Sequence, residues 1–323
     1  MKSFPRAIVA LLLCALPGLP LFAQTYPAKP IRVVVPYPPG GTSDILARLI
    51  GVKMTESWGQ QVIVENRAGA NGNIGAEFVA RAAPDGYTAL LADIGALAIS
   101  PSVYPKLPFD PAKDFAPVTM VAYSPHILCV HPSVPVRTVK DLIALAKARP
   151  GKLNYGASSL GSAPHLAGIE FALRTGVKWE YIPYKGGAQA IAETVAGQSD
   201  VLFNGMLATY PHVKSGRLRI LAVSSPKRMA AIPEVPTVAE SGLPGFETGS
   251  WQGVLAPPGT SKEVVGRLNG EIIRIVGAPD MKEKLASQGA DVLTMTPDQF
   301  GDFIRKEKAR WAKVVKDSGA KFE

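Results

Sequence analysis

Val33-Val34-Val35-Pro36-Tyr37-Pro38-Pro39-Gly40-Gly41-Thr42-Ser43-Asp44-Ile45-Leu46-Ala47-Arg48 reads as a buried strand, a glycine turn and the first turns of a helix. Consecutive β-branched residues suit a strand covered on both faces. Gly40 and Gly41 permit positive φ and leave no side chain between the main chain and a visitor. Thr42 and Ser43 open a helix whose apolar face is Leu46, Leu49 and Ile50. A helix start has unpaired N–H groups and a partial positive charge, so this loop is a seat for one end of a small carboxylate.

Outward from this unit, strands alternate with helices. Residues 61–65 form a second strand, 76–83 a helix ending at Pro84-Asp85-Gly86, and 88–93 a third strand ending on Asp93. That alternation means a parallel sheet with flanking helices. A proline-rich passage, 101–117, leads into a β-rich run, 115–130. Ser124-Pro125 interrupts that run, which argues for a bend or crossover and against one central strand.

The alternation then repeats. A helix from Thr138 or Val139 buries Leu142, Ile143 and Ala146, and a strand ends in the loop from Ser158. The next helix turns Leu166, Ile169 and Leu173 inward. A strand at 178–184 leads to Lys185-Gly186-Gly187 and a helix, with further strands at 200–203 and 219–223. The last helix carries Phe300, Phe303, Ile304, Trp311, Val314 and Val315 at helical spacing. The expected division is a signal peptide at 1–23, a discontinuous first lobe at 24–124 and 247–323, and a second lobe at 125–246. Two crossings between lobes would make a hinge.

The first residues look like a removable export signal. Lys2 and Arg6 precede an apolar stretch at 7–16, and Leu21-Phe22-Ala23 stands before Gln24 as a cleavage site. The apolar stretch is shorter than the roughly 18 residues that span a bilayer. Of the two cysteines, Cys14 lies in this signal, so a cleaved chain retains only Cys129 and forms no internal disulfide. Stability must then come from a core, which a chain that is 47% apolar can build. Net charge is +9, but the basic residues are scattered and do not interleave with aromatics as a nucleic-acid groove requires.

Three strand-to-helix loops share one design: Pro39-Gly40-Gly41-Thr42-Ser43, Ser158-Ser159-Leu160-Gly161-Ser162 and Tyr184-Lys185-Gly186-Gly187-Ala188. In parallel α/β sheets ligands bind outside the carboxyl ends of the strands, and Asp93 ends a strand in the same way. One such loop alone would be ordinary helix capping; recurrence in both lobes favours a pair of jaws, the first loop against 158–162. The first loop lacks both the lysine of a nucleotide P-loop and the G-x-G-x-x-G spacing of a dinucleotide site. Asp44 either stabilises the first helical turn or points aside to orient a ligand group. Gly156-Ala157-Ser158-Ser159-Leu160 fails the hydrolase elbow at its last position, and His165 one turn on is poorly placed as a base. His126, His131 and His212 show no metal-ligand spacing, so neither metal nor cofactor is expected.

Together these residues resemble the Bug-type solute receptors of tripartite tricarboxylate transporters. The carrying motifs are residues 36–44, Ala83-Pro84-Asp85-Gly86-Tyr87-Thr88, Pro183-Tyr184-Lys185-Gly186-Gly187, residues 233–240 and Trp251-Gln252-Gly253. The similarity runs from Tyr26 to Ala320. It implies an α/β, two-lobed periplasmic binding protein (type II-like), each lobe a mostly parallel sheet with flanking helices. It also implies a small mono-, di- or tricarboxylate held by backbone groups, hydroxyls and waters around Tyr37, Gly40, Gly41, Thr42, Ser43 and Asp44, with Ser158, Ser159, Gly161, Ser162 and His165. Asp93, Tyr184 and Asn204 complete the expected site. Where family members often carry an acidic or polar tip, this chain has Asn204-Gly205-Met206, which weakens the case for a cationic ligand and leaves room for an aromatic or hydroxy acid. The expectation is a monomeric periplasmic receptor, not an enzyme, delivering its ligand to transmembrane transporter subunits. A ligand sensor for a membrane signalling protein and a secreted serine hydrolase are the alternatives.

Overall fold

A computed structural model describes residues 26–318. The export signal, its cleavage site, Cys14 and the end of the resemblance at Gly319 and Ala320 lie outside the described residues. The chain begins β1 (Ile31–Val35), α1 (Thr42–Trp58), β2 (Val62–Asn66), a 3-10 turn (Ala70–Gly72), α2 (Asn73–Ala80) and β3 (Thr88–Asp93). A π turn (Gly95–Ile99) and α3 (Ser100–Val103) lead to the long β4 (Ala116–Val130). Then come α4 (Val139–Ala148), β5 (Asn154–Ala157), α5 (Ala163–Thr175), β6 (Glu180–Pro183), α6 (Gly187–Val195), β7 (Val201–Gly205), α7 (Met206–Lys214) and β8 (Arg219–Val223). The chain closes with β9 (Gly249–Ala256), α8 (Lys262–Gly277), α9 (Pro279–Ala286), β10 (Asp291–Val292) and α10 (Pro297–Ser318).

The strands lie in the order β2-β1-β3-β9-β4-β7-β5-β6, with β8 and β10 also paired to β4. β1 pairs parallel with β2 and β3, and β5 pairs parallel with β6 and β7. Antiparallel pairs join these two parallel groups: β3 to β9, β9 to β4 and β4 to β7. The opening strand is buried as its β-branched run requires, with only Arg32 exposed. α1 then turns Leu46 and Ile50 into a cluster shared with Val33, Val35 and Leu268. α10 sets Phe300, Ile304, Trp311 and Val315 against Leu90, Leu255 and Trp251.

Two sequence expectations are corrected. β4 runs unbroken through Ser124-Pro125. Its residues up to Pro125 pair with β9, and from His126 onward it pairs with β7 on one side and β8 on the other. Pro125 falls at the changeover, opposite Gly249 at the start of β9, where a missing N–H costs the ladder least. In α5 the inward residues are Leu166, Ala167 and Phe171, whereas Leu173 is 63% exposed. Phe171 stacks on Trp179 with ring centres 5.4 Å apart and also meets Phe203 and Phe246, and this aromatic stack sets the direction of the helix's last turns.

The changeover in β4 is stitched by a buried polar network. His126, fully buried, binds Thr248 Oγ1 at 3.1 Å and Ser250 Oγ at 3.0 Å. Ser224 Oγ donates to the His126 carbonyl at 2.8 Å, and Leu207 N donates to Ser124 Oγ at 3.2 Å. Burial lowers the imidazole to about 3. Its folded pKa therefore lies below the unfolded value, the unfolded chain takes the proton first, and stability falls as pH drops from about 6.5 toward 3. Between pH 7 and pH 5 this one group should remove about 2 kcal/mol. Chemical denaturation should show that loss in the native chain and a clearly smaller one in His126→Gln; identical pH slopes would mean the histidine is not buried neutral.

Candidate functional site

α1, α6 and α7 all begin on glycine N-caps (Gly41, Gly186 and Gly205) that offer no side chain to the first N–H groups. All three glycines line one narrow cavity of about 50 Å³. Three other helices are capped internally: Thr138 and Asp141 form a capping box on α4, Ser162 accepts from His165 N on α5, and Ser261 accepts from Val264 N on α8, whereas α2 on Gly72, α3 on Ile99 and α9 on Ala278 also start without a side-chain cap. Each bare helix start has outward donors and roughly half a positive charge. Of the three, α7 is partly served, since Ser124 Oγ takes Leu207 N.

The walls of the cavity stand in contact. A Cβ on Gly186 would lie 2.6 Å from Pro38 Cδ, and one on Gly205 would lie 2.8 Å from Thr42 Oγ1. Gly40, at φ +85°, would bring a Cβ to 3.8 Å from that of Ala188. The loop before α1 therefore touches the glycine loop before α6 and the start of α7, while Ser158, Ser159 and Ser162, from the loop that the sequence suggested as its partner, line the same cavity. Absence of side chains at Gly186 and Gly205 is what lets the two helix starts approach.

Of the residues expected at the site, Tyr37, Gly41, Thr42, Ser43, Asp93, Ser158, Ser159, Ser162 and Asn204 line the cavity. Gly40, Asp44, Gly161, His165 and Tyr184 stand outside its lining and support it. Burial alone would raise the Asp44 carboxyl, but bonds from Arg48 Nε (3.0 Å), Gly40 N (2.9 Å) and Asn66 Nδ2 (2.9 Å) hold it below the usual range. Its charge is turned to Arg48 and kept from opposing an anion at the helix start. His165 Nδ1 accepts Gly161 N at 3.0 Å, and burial lowers the ring to about 4. Gly161 O in turn receives Asn71 Nδ2 at 3.4 Å. The Tyr184 hydroxyl meets Ser199 at 3.0 Å. Ser158 Oγ, at the position of a hydrolase nucleophile, has no hydrogen-bond partner among the described residues, so no base touches it.

Neither Lys nor Arg lines the cavity. The acidic group that does, Asp93, accepts Tyr37 Oη on Oδ1 and Gly95 N at 2.8 Å. Burial pushes the Asp93 carboxyl up despite these bonds, and burial together with Asp93 pushes the Tyr37 phenol well up. Asn204 donates to Gly187 O at 3.0 Å and accepts Gly205 N at 2.9 Å, locking the two glycine loops together. Sequence reading missed Asn71, Ser250 and Gln252 as cavity residues. Gln252 was visible as a motif member, but its direction depends on β9 pairing Gln252 with Asp93 and Trp251 packing on the opposite face against Phe300.

The model of the tripartite tricarboxylate transporter family receptor matches residues 46–320. Protein BugT of Bordetella pertussis (strain Tohama I) is 41% identical over 305 residues, covering 94% of each chain. Among solved structures, R. palustris Rpa4515 with adipate superposes with a TM-score of 0.89 at 39% identity, covering 91% of this chain and 98% of that one. The periplasmic binding protein BugD gives a TM-score of 0.88 at 34% identity, covering 92% and 99%.

If side-chain absence at the contact matters, Gly186→Val should cost about 1–3 kcal/mol in urea denaturation through overpacking against Pro38. Gly266→Ala, in α8 with open space around its Cβ, should be neutral or stabilising by up to about 1 kcal/mol. Equal effects at both positions would show that the walls do not meet.

Proposed function

The chain belongs to the tripartite tricarboxylate transporter receptor family, and on that premise we propose that it captures a small organic carboxylate in the cavity and presents it to transmembrane transporter subunits. The observation that carries this reading is the set of glycine-capped helix starts opening on a cavity without Lys or Arg. Backbone N–H groups at helix starts bind carboxylates without a counter-charge. Thr42, Ser43 and Ser159 add hydroxyls. The relative solved with adipate holds a ligand of this chemical class.

In this reading residues 24–124 and 247–323 form one lobe and 125–246 the other. The changeover of β4's partners at Pro125 and His126 supports that division. β4 and the segment around Thr248 then act as the hinge, and release requires the contacts of Pro38 with Gly186 and of Thr42 with Gly205 to part. The protein works in the periplasm, as BugD is described, and binds without turnover. No helix among the described residues is long and apolar enough to cross a membrane.

Thermal unfolding against a panel of mono-, di- and tricarboxylates tests this directly. A ligand at one hundred times its Kd should add about 2.7 kcal/mol of stability. Gly41→Asp supplies α1 with its own carboxylate cap; its backbone at φ −79° and ψ 170° accepts the change. That variant should keep or gain a few tenths of a kcal/mol unliganded while losing the ligand-induced shift. No response to any carboxylate, or an undiminished shift in Gly41→Asp, would remove the helix starts from the site.

A further inference from the structure

Gln252 is 1% exposed and lines the cavity, yet neither Oε1 nor Nε2 has a hydrogen-bond partner among the described residues. Both ends are unpaired, so the orientation assigned to the amide does not affect the argument. Ser158 Oγ, in the loop after β5, is likewise buried and unpaired. Several polar neighbours are engaged: Ser250 binds His126, Asn204 binds Gly187 and Gly205, and Asn71 reaches Gly161. Among the cavity's side-chain atoms shut off from solvent, Gln252 Oε1 and Nε2 and Ser158 Oγ are the ones left without a partner among the described residues. Buried groups left in that condition are costly, and native structures keep few of them without a purpose.

Resting on the carboxylate reading above, we infer that Gln252 and Ser158 determine specificity by recognising a hydroxyl group on the ligand, so that this chain prefers a hydroxy acid to the same acid without the hydroxyl. An amide presents one acceptor and two donors. A second carboxylate could satisfy Nε2 but would set its negative charge against Oε1. It would also face Asp93, the cross-strand partner of Gln252, whose side chain shares that face of the sheet. An ammonium could bind Oε1 and Asp93 but would leave Nε2 unpaired. A hydroxyl both donates and accepts, so it meets both ends of the amide while remaining neutral beside Asp93. Ser158 can rotate its own hydroxyl to complete the arrangement in either direction.

Matched pairs that differ by one hydroxyl test the assignment: malate with succinate, 3-hydroxybutyrate with butyrate, and 4-hydroxybenzoate with benzoate, alongside aspartate as the amino counterpart. Isothermal titration should show the hydroxy member of a binding pair held at least about tenfold more tightly, a margin of about 1.4 kcal/mol. In Gln252→Leu the two members should come within about threefold, while the unliganded melting temperature stays level or rises because two unpaired groups are gone. Ser158→Ala should narrow the same margin. Equal affinities within each pair in the native chain, an undiminished margin in Gln252→Leu, or aspartate binding above malate would each overturn the assignment while leaving carboxylate capture standing. Absence of binding by every acid would overturn carboxylate capture, and this assignment with it.

Discussion

A helix whose first N–H groups are not capped by its own chain must find acceptors elsewhere, and the organisation of this protein follows from placing such starts together. Gly41, Gly186 and Gly205 stand where serine, threonine or aspartate would normally cap a helix. Each lies at the carboxyl end of a parallel strand, β1, β6 or β7, and the sheet brings those ends to one cavity. The same glycines permit the close approach of Pro38 to Gly186 and of Thr42 to Gly205. Donor exposure and wall-to-wall contact therefore come from one substitution pattern, the loss of a side chain at the N-cap. Helices α4, α5 and α8 carry side-chain caps, α5 through Ser162 in the cavity lining, whereas α2 starts uncapped on Gly72 outside that lining.

Negative charge near the cavity is managed by geometry. Asp44 sits in the first turn of α1, where it could block an anion, but Arg48, Asn66 and Gly40 draw its carboxylate aside. Asp93 remains in the lining, with Tyr37 and Gly95 donating to one of its oxygens and burial disfavouring its charge. The cavity thus combines backbone donors, a restrained carboxyl and neutral side chains. A fixed Lys or Arg would hold a carboxylate more strongly than the partial charge of a helix start does.

Much of this was legible in the chain. The triple valine before Pro36, the alternation of strand and helix and the glycine-rich loops identify the α/β class and three loops near the site. Local pattern could not tell which loops face each other, because that depends on β9 and β4 bridging the two parallel groups. Pro125 looked like a break because an isolated strand has no way to show that a proline falls where its partners change. Gln252 escaped notice for a similar reason: a glutamine in a strand has no chemical signature until pairing with Asp93 fixes the face it occupies. His165, expected at the site from the resemblance, and Tyr184, from its glycine loop, stand outside the cavity lining, and their hydrogen bonds serve Gly161 and Ser199.

The central claim is that uncapped helix starts hold a carboxylate in its ionised form without an ion pair. The bound state of a 13C-carboxyl-labelled acid, followed by its carboxyl chemical shift as pH is lowered, reads this directly. Helix-start donors favour the anion, so the bound carboxyl should titrate below its value in free solution, and Gly41→Asp should abolish the bound signal. A bound carboxyl that titrates above its free value would show that the site takes the neutral acid, and would contradict the account.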